Sequence, residues 1–176
     1  MTGFRLRLAE EVDIPEMTAL MNRSIGALLG PVLSPAQVQA SFAIMGLDPE
    51  LVADRTYFAA VAEGRILGCG GWSRRRTLFG HHGTPGRDSG LLDPASEPAR
   101  VRAMYSDPSA ARQGVGRAIL AASEDAARAA GFARAELVAT LAGLPLYRAC
   151  GWEEVERGEV DAQGVAVPVV RMEKRL

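Results

Sequence analysis

The stretch of this 176-residue chain that most restricts its fold is Asp107-Pro108-Ser109-Ala110-Ala111-Arg112-Gln113-Gly114-Val115-Gly116-Arg117, which runs straight into Ala118-Ile119-Leu120-Ala121-Ala122. A proline ends an extended run and two glycines open a helical one. Such a junction leaves a row of backbone N–H groups without partners at the positive end of a helix dipole, flanked here by Arg112 and Arg117. It reads as an anion site for a phosphate or pyrophosphate.

The residues just after the glycines narrow the type of phosphate ligand. A P-loop needs a lysine and a Ser or Thr after its last glycine, whereas Gly116 precedes Arg117-Ala118, so the hardware for magnesium and a nucleoside triphosphate is missing. A dinucleotide fingerprint needs a third glycine where Ile119 stands, and a Rossmann domain begins with that unit, as this chain does not. What remains is a pyrophosphate held by the N–H groups of roughly Gln113 to Ala118.

The elements on either side alternate without a repeat. Phe4–Leu8 alternates as a strand; Asp13-Ile14-Pro15-Glu16 opens a helix toward Leu29 and Ser34-Pro35-Ala36-Gln37 opens another toward Met45, followed by a short turn at Asp48-Pro49-Glu50. Thr56–Glu63 and Arg65–Ser73 read as a hairpin turning at Gly64, with Gly68, Gly70 and Gly71 inviting the close approach of another backbone or a ligand. Phe79–Pro98 is the one long irregular segment. Arg100–Ser106 is a strand, and the helix after it shows Val115, Ile119, Ala122, Ala126 and Ala130 on one face, Glu124 and Arg128 outside, and Gly131 as its stop. Ala135–Ala139 is a strand, Leu144–Ala149 a short helix ending at Gly151, and Trp152–Val160 with Val165–Met172 a hairpin. The order β-α-α-β-β-β-α-β-α-β-β describes an α/β domain with a mixed sheet.

Composition bounds the partners. With 48% hydrophobic and 23% charged residues and a net charge of −1, no global field steers the chain to nucleic acid or membrane. The basic run Arg74-Arg75-Arg76 reads as a solvated strand end. No apolar segment approaches the ~20 residues of a membrane span, and the start Met1-Thr2-Gly3-Phe4-Arg5 has no signal-like apolar region, so a cytoplasmic location is expected. Cys69 and Cys150, without CxxC spacing, read as reduced core residues. No metal is expected: His81-His82 are adjacent, so their side chains diverge, and no further ligand is evident.

With the glycine turn and the motif Pro145-Leu146-Tyr147-Arg148-Ala149-Cys150-Gly151-Trp152 in this order and spacing, the chain resembles the GNAT acyltransferase superfamily. The resemblance covers roughly Arg100 to Trp152. It implies a single GNAT-like domain over residues 1–176 with a mixed, mostly antiparallel sheet flanked by helices. Residues 1–98 would form the acceptor side, 99–152 the acetyl-CoA core and 153–176 the C-terminal hairpin. Two positions depart from the family's pattern: Ala111 replaces an Arg or Gln, and Thr140 an asparagine.

The resemblance further implies that Arg112, Gln113, Gly114, Val115, Gly116 and Arg117 hold the pyrophosphate of acetyl-CoA, that Met104, Tyr105 and Ser106 run beside its pantetheine arm, and that Thr140 contacts that arm or a backbone group. Tyr147 then looks like the general acid for the departing thiolate; a structural tyrosine packed beside Trp152 is its alternative. The implied reaction is acetyl transfer to a primary amine of a small molecule or protein by direct attack. The competing reading is a non-catalytic acyl-CoA-binding sensor or interaction module, and a third is an enzyme using another acyl donor. For the general base the candidates are Glu10, Asp93 and Glu136, the last expected to face solvent. Acceptor recognition is assigned to the N-terminal helices, to Gly71-Trp72-Ser73-Arg74 and to the loop 79–98. The edge of the terminal hairpin offers a route to a homodimer.

Overall fold

The computed structural model describes residues 3–80 and 87–176; His81 and His82 lie outside the described residues. The strands are β1 (Arg5–Leu8), β2 (Tyr57–Ala62), β3 (Arg65–Ser73), β4 (Ala99–Ser106), β5 (Arg134–Thr140), β6 (Glu153–Ala162) and β7 (Val165–Arg175). The helices are α1 (Ile14–Leu28), α2 (Pro35–Ile44), α3 (Pro49–Ala53), α4 (Val115–Ala129) and α5 (Leu144–Ala149). The seven strands form one sheet in the order β1-β2-β3-β4-β5-β7-β6, parallel only between β4 and β5. This is the expected mixed, mostly antiparallel sheet flanked by helices, with one addition. Asp48-Pro49-Glu50, expected as a turn, opens α3 because Asp48 Oδ1 accepts the Glu50 N–H at 3.1 Å.

Local chemistry accounts for most boundaries. Glu63 and Gly64 (φ 49° and 76°) form the two-residue turn between β2 and β3, and Gln163 and Gly164 (φ 54° and 84°) the one between β6 and β7. Left-handed residues at both positions match the right-handed twist of the strands. Ser34 and Gln37 close a reciprocal capping box at the start of α2. Asp13, expected to cap α1, instead accepts the Glu10 N–H at 2.8 Å and pairs with Arg7 at 2.6 Å, fixing a 3-10 turn that α1 continues. The β3 glycines do permit close approach: a Cβ on Gly71 would stand 2.2 Å from the Thr56 carbonyl oxygen and 2.8 Å from Tyr57 Cα.

Helices α1 and α2 cover one face of the sheet, where Met17, Leu20 and Ile25 pack with Tyr57, Cys69 and Tyr105. Helix α4 covers β2, β3 and β4 from the other. Its buried face is Val115, Ile119, Leu120, Ser123, Glu124 and Ala127, rotated from the expected one because Ala130 and Ala126 lie toward the rim. Glu124 is therefore not an outer residue. Its carboxylate accepts from Trp152 Nε1 at 2.8 Å and from Lys174 Nζ at 2.6 Å, and Lys174 also donates to the Cys150 carbonyl at 2.8 Å. Arg128 pairs with Asp125 instead.

Other charges expected in solvent are also tied down. Glu136 is 8% exposed and paired with Arg100 and Arg171. Arg75 pairs with Asp54 at 2.7 Å and Arg76 with Glu97 at 3.3 Å, so that basic run is a set of loop anchors. In the terminal hairpin the free edge belongs to β6, since β7 pairs with β5 on its other side. No helix among the described residues is long and apolar enough to cross a membrane.

Gly71→Ala is expected to destabilise the fold by about 1–3 kcal/mol through overpacking, read as a lowered Tm. Glu124→Ala leaves the indole N–H without its acceptor and the Lys174 ammonium with only the Cys150 carbonyl, and should cost about 3 kcal/mol in a urea titration; a loss below about 1 kcal/mol would show that water replaces the carboxylate.

Candidate active site

The site begins with a distortion in β4. Ala103 has φ 52°, a left-handed conformation that costs a residue with a Cβ roughly 1–2 kcal/mol, and the β3–β4 register shifts there, between Cys69 and Gly71. Two contacts hold the bulge. Tyr57 Oη donates to the Ala103 carbonyl at 2.5 Å, and buried Arg102 pairs with fully buried Asp48 at 2.9 Å while its Nη2 donates to the Gly80 carbonyl at 2.7 Å. Burial disfavours the Arg102 charge, with Asp48 opposing that effect. Arg87 Nη1 also lies 2.8 Å from Asp48, its N–H not aimed at the oxygen. Strand β4 then parts from β5, with which it pairs only at Ala99–Ala135 and Arg100–Glu136.

The opening is a cleft of about 670 Å³ that runs from the head of α4 to the inner face of α1 and the β6–β7 hairpin. At one end, Asp107 organises the glycine turn. Its carboxylate accepts from the Ser109 N–H at 2.9 Å, the Ser109 hydroxyl at 2.6 Å and Arg23 of α1 at 2.6 Å. The Ser109 hydroxyl foremost, with Arg23, holds its acid down to about 2 against the opposing effect of burial. Arg112 (φ 62°) and Gly114 (φ 85°) then turn the chain so that α4 starts at Val115. The N–H groups of Val115, Gly116 and Arg117 have no acceptor within the helix. Gly116 sits where a Cβ would come 3.1 Å from Leu146 Cδ2.

Most residues singled out from sequence converge here. Met104, Tyr105, Ser106, Arg112, Gly114, Val115, Gly116, Arg117, Thr140 and Tyr147 all line the cleft. Gln113 does not: it is exposed, its N–H bonds to the Ala110 carbonyl at 3.3 Å and its side chain to the Ser109 carbonyl at 3.0 Å. Met104 contributes its backbone, because its side chain packs beneath Gly70 on the α4 face. Thr140 Oγ1 accepts the Gly143 N–H at 3.2 Å and keeps its own proton to donate.

Tyr147 is 7% exposed, its ring edge-on to Trp152 at 6.2 Å. Burial pushes its phenol up, and its hydroxyl has no hydrogen-bond partner among the described residues. Tyr105 Oη accepts the Gly46 N–H at 3.1 Å, and burial raises this phenol too. The bulge changes which residues of β4 face the cleft, which strict alternation does not anticipate.

Other sequence candidates stay outside the cleft. Glu10 is exposed and caps the first turn, Asp93 accepts bonds from Ala95 N and Ser96 Oγ, and Glu136 is held by its two arginines. Trp72 is a core residue, 3% exposed and edge-on to Phe132 at 5.9 Å, with Arg74 over its ring at 5.3 Å. The far wall of the cleft comes from α1, from Leu78, Phe79 and Gly80, and from Val160, Val167 and Val169 of the hairpin, so the N-terminal helices and the start of the 79–98 loop reach it while Gly71, Trp72, Ser73 and Arg74 do not. The Asp48–Arg102 pair was not anticipated, since nothing local marks two residues 54 positions apart as partners. Among the described residues no group of three or more His, Cys, Asp or Glu is placed to hold a metal ion.

Comparison with known proteins agrees with this fold. The sequence model of the acetyltransferase (GNAT) family matches residues 31–152. No curated protein sequence matches the chain significantly. Among solved structures, a GCN5-related N-acetyltransferase from Rhodopseudomonas palustris superposes with a TM-score of 0.74 at 21% identity, covering 100% of this chain and 98% of its own. The PaiA N-acetyltransferase from Thermoplasma acidophilum, in complex with coenzyme A, gives 0.67 at 12% identity over 99% of both chains. A phosphinothricin acetyltransferase from Sinorhizobium meliloti, in complex with acetyl-CoA, gives 0.66 at 21% identity, covering 100% of this chain and 89% of its own.

Because the Asp107 acid is held at about 2 in the fold against 3.8 ordinarily, its contribution to stability is present above about pH 4 and fades as the pH falls toward 2. Asp107→Asn should therefore melt below wild type at pH 5, with the gap closing between pH 4 and pH 2. A gap that persists at pH 2 would mean that the amide substitution harms packing rather than charge.

Proposed function

The chain belongs to the acetyltransferase (GNAT) family, and on that premise we propose that it transfers the acetyl group of acetyl-CoA to a primary amine by direct attack. The observation that carries the reading is the single cleft joining the N–H-lined head of α4 to the Tyr147 hydroxyl and onward to an open wall of α1. A binding module needs the first of these and has no use for the last. Residues 1–176 act as one unit, in which 99–152 hold the donor and 1–98 face the acceptor, with 153–176 adding part of the acceptor wall.

The donor fits the residues present. The left-handed Gly114 brings the turn close to a ligand, the free N–H groups and dipole of α4 suit a pyrophosphate, and Arg112 and Arg117 add charge. Gly116 keeps the backbone bare where α4 meets α5. The pantetheine arm runs along Met104, Tyr105 and Ser106, whose backbone edge is released by the parting of β4 from β5, with Thr140 opposite. Acetyl-CoA supplies an acyl carbon already activated as a thioester.

The amine nitrogen forms a bond to that carbon as the carbon–sulfur bond breaks. Backbone N–H groups of the parted strand polarise the acyl oxygen; one such preorganised donor is typically worth ~10²–10³ in rate. The departing sulfur is basic and takes a proton from Tyr147, whose burial keeps the phenol protonated at neutral pH and whose hydroxyl is uncommitted. The proton lost by the nitrogen passes to solvent through the open end of the cleft and Tyr147 regains one from solvent, so that the amide and the free thiol leave with the phenol restored.

Tyr147→Phe should lower kcat by about 10²-fold while calorimetry shows an unchanged acetyl-CoA Kd; an unchanged kcat removes Tyr147 from the mechanism. Gly114→Ala forces a Cβ into φ 85° and should raise the KM for acetyl-CoA by about tenfold, with kcat at saturation near wild type. An equal fall in kcat and kcat/KM, with KM unchanged, would place the turn in the chemical step.

A further inference from the structure

The left-handed Ala103 stands where the ladder between β3 and β4 breaks. The register pairs Arg102 with Gly71 and Tyr105 with Cys69, and gives Ala103 and Met104 no partner on β3. On its other side β4 pairs with β5 only as far as Arg100. The peptide group joining Ala103 to Met104 is thus outside both registers, and it borders the cleft that Met104 lines.

Tyr57 holds this peptide group. Its side chain is fully buried at the head of β2, opposite Gly71 in the β2–β3 register. Gly71 clears the way for the ring, since a Cβ there would stand 2.9 Å from Tyr57 Cδ2. The ring passes over β3, and its hydroxyl donates to the Ala103 carbonyl at 2.5 Å. Burial pushes this phenol well above its ordinary value, so the hydroxyl keeps the proton it donates.

No cis peptide bond occurs among the described residues, and in a trans peptide the N–H lies opposite the carbonyl. Fixing the Ala103 carbonyl therefore fixes the direction of the Met104 N–H. An alanine released from that hydrogen bond would leave a conformation disfavoured by roughly tenfold, and the N–H would turn with it.

We propose that Tyr57 is a positioning residue for acyl transfer: by holding the Ala103 carbonyl it aims the Met104 N–H at the thioester oxygen, touching neither reactant itself. The inference rests on the transferase reading and deepens it.

Alanine is followed by methionine only once in the sequence, at Ala103-Met104. Protein labelled with carbon-13 in its alanine carbonyls and nitrogen-15 in its methionines therefore gives a single carbonyl-to-amide correlation by NMR, from this peptide group. In the wild type, acetyl-CoA should move the Met104 amide proton further downfield than coenzyme A does. In Tyr57→Phe the Ala103 carbonyl signal should move upfield and the acetyl-specific shift should vanish.

Thiol release is measured with spermidine, 3-phenylpropylamine and phenylalaninamide, and the fastest acceptor carries the comparison. Tyr57→Phe should lower kcat about tenfold, with the KM for the amine and the Kd of acetyl-CoA unchanged; a general loosening of the fold would raise both constants. Adding Ala103→Gly to Tyr57→Phe should bring kcat back to within about threefold of wild type, because glycine takes the left-handed conformation without penalty.

Identical Met104 shifts with acetyl-CoA and coenzyme A in the wild type, an unchanged kcat in Tyr57→Phe, or a loss that Ala103→Gly does not rescue would each overturn the inference and leave the transferase reading intact. The first of these needs no variant to fold. Donor binding with no thiol release from any of the three amines would overturn the transferase reading, whichever way the Met104 signal moves.

Discussion

Strands β4 and β5 share only two rungs, at Ala99–Ala135 and Arg100–Glu136, and the left-handed Ala103 turns β4 aside soon after. A parallel pair that continued to Ser106 and Thr140 would satisfy its own backbone groups and leave no cleft. The early parting exposes backbone along β4, opens a space about 670 Å³ in volume and aims the end of β4 at the turn preceding α4. The head of α4, the released edge of β4 and the far chamber of the cleft are joined as consequences of one interrupted ladder.

Such an interruption is unfavourable by itself and is stabilised from both sides. Tyr57 reaches across from β2 to the Ala103 carbonyl, and Arg102 is drawn the other way by Asp48 at the head of α3. Further along, Arg23 and Asp107 tie α1 to the glycine turn, and Glu124 with Lys174 and Trp152 ties α4 to β7 and to the turn after α5. Each link joins segments far apart in the chain. Charged side chains here set relative position, which apolar packing, being non-directional, does less sharply. The same arrangement pairs Arg102 with Asp48, so the far end of the cleft has largely apolar walls and a guanidinium that is already neutralised.

The element order is legible because its signals are local. The left-handed pairs Glu63-Gly64 and Gln163-Gly164, the Ser34–Gln37 box and the glycine turn each fix a few dihedral angles within a few residues. The buried face of α4 is not, because small alanines carry little directional signal, and Glu124 reads as an outer residue because its partners lie 28 and 50 positions away. Trp72 offers itself as an acceptor contact, yet its ring belongs to the α4 core. The residues singled out for a phosphate donor do line the cleft, Gln113 excepted, since a row of free N–H groups at the head of a helix is written in consecutive residues.

By itself, then, the sequence determined the alternation of strands and helices, the glycine turn at the head of α4 and the tyrosine-bearing helix, all properties of contiguous segments. Only the tertiary structure decided how long β4 stays with β5, which face of β4 sees the cleft and which charges meet. These depend on contacts such as Asp48–Arg102 and Arg23–Asp107, separated by 54 and 84 positions, and on a bulge whose strain is offset by residues that no local pattern connects to it. The far end of the cleft is the part made most completely of such contacts, which is why its walls emerged only once the chain was folded.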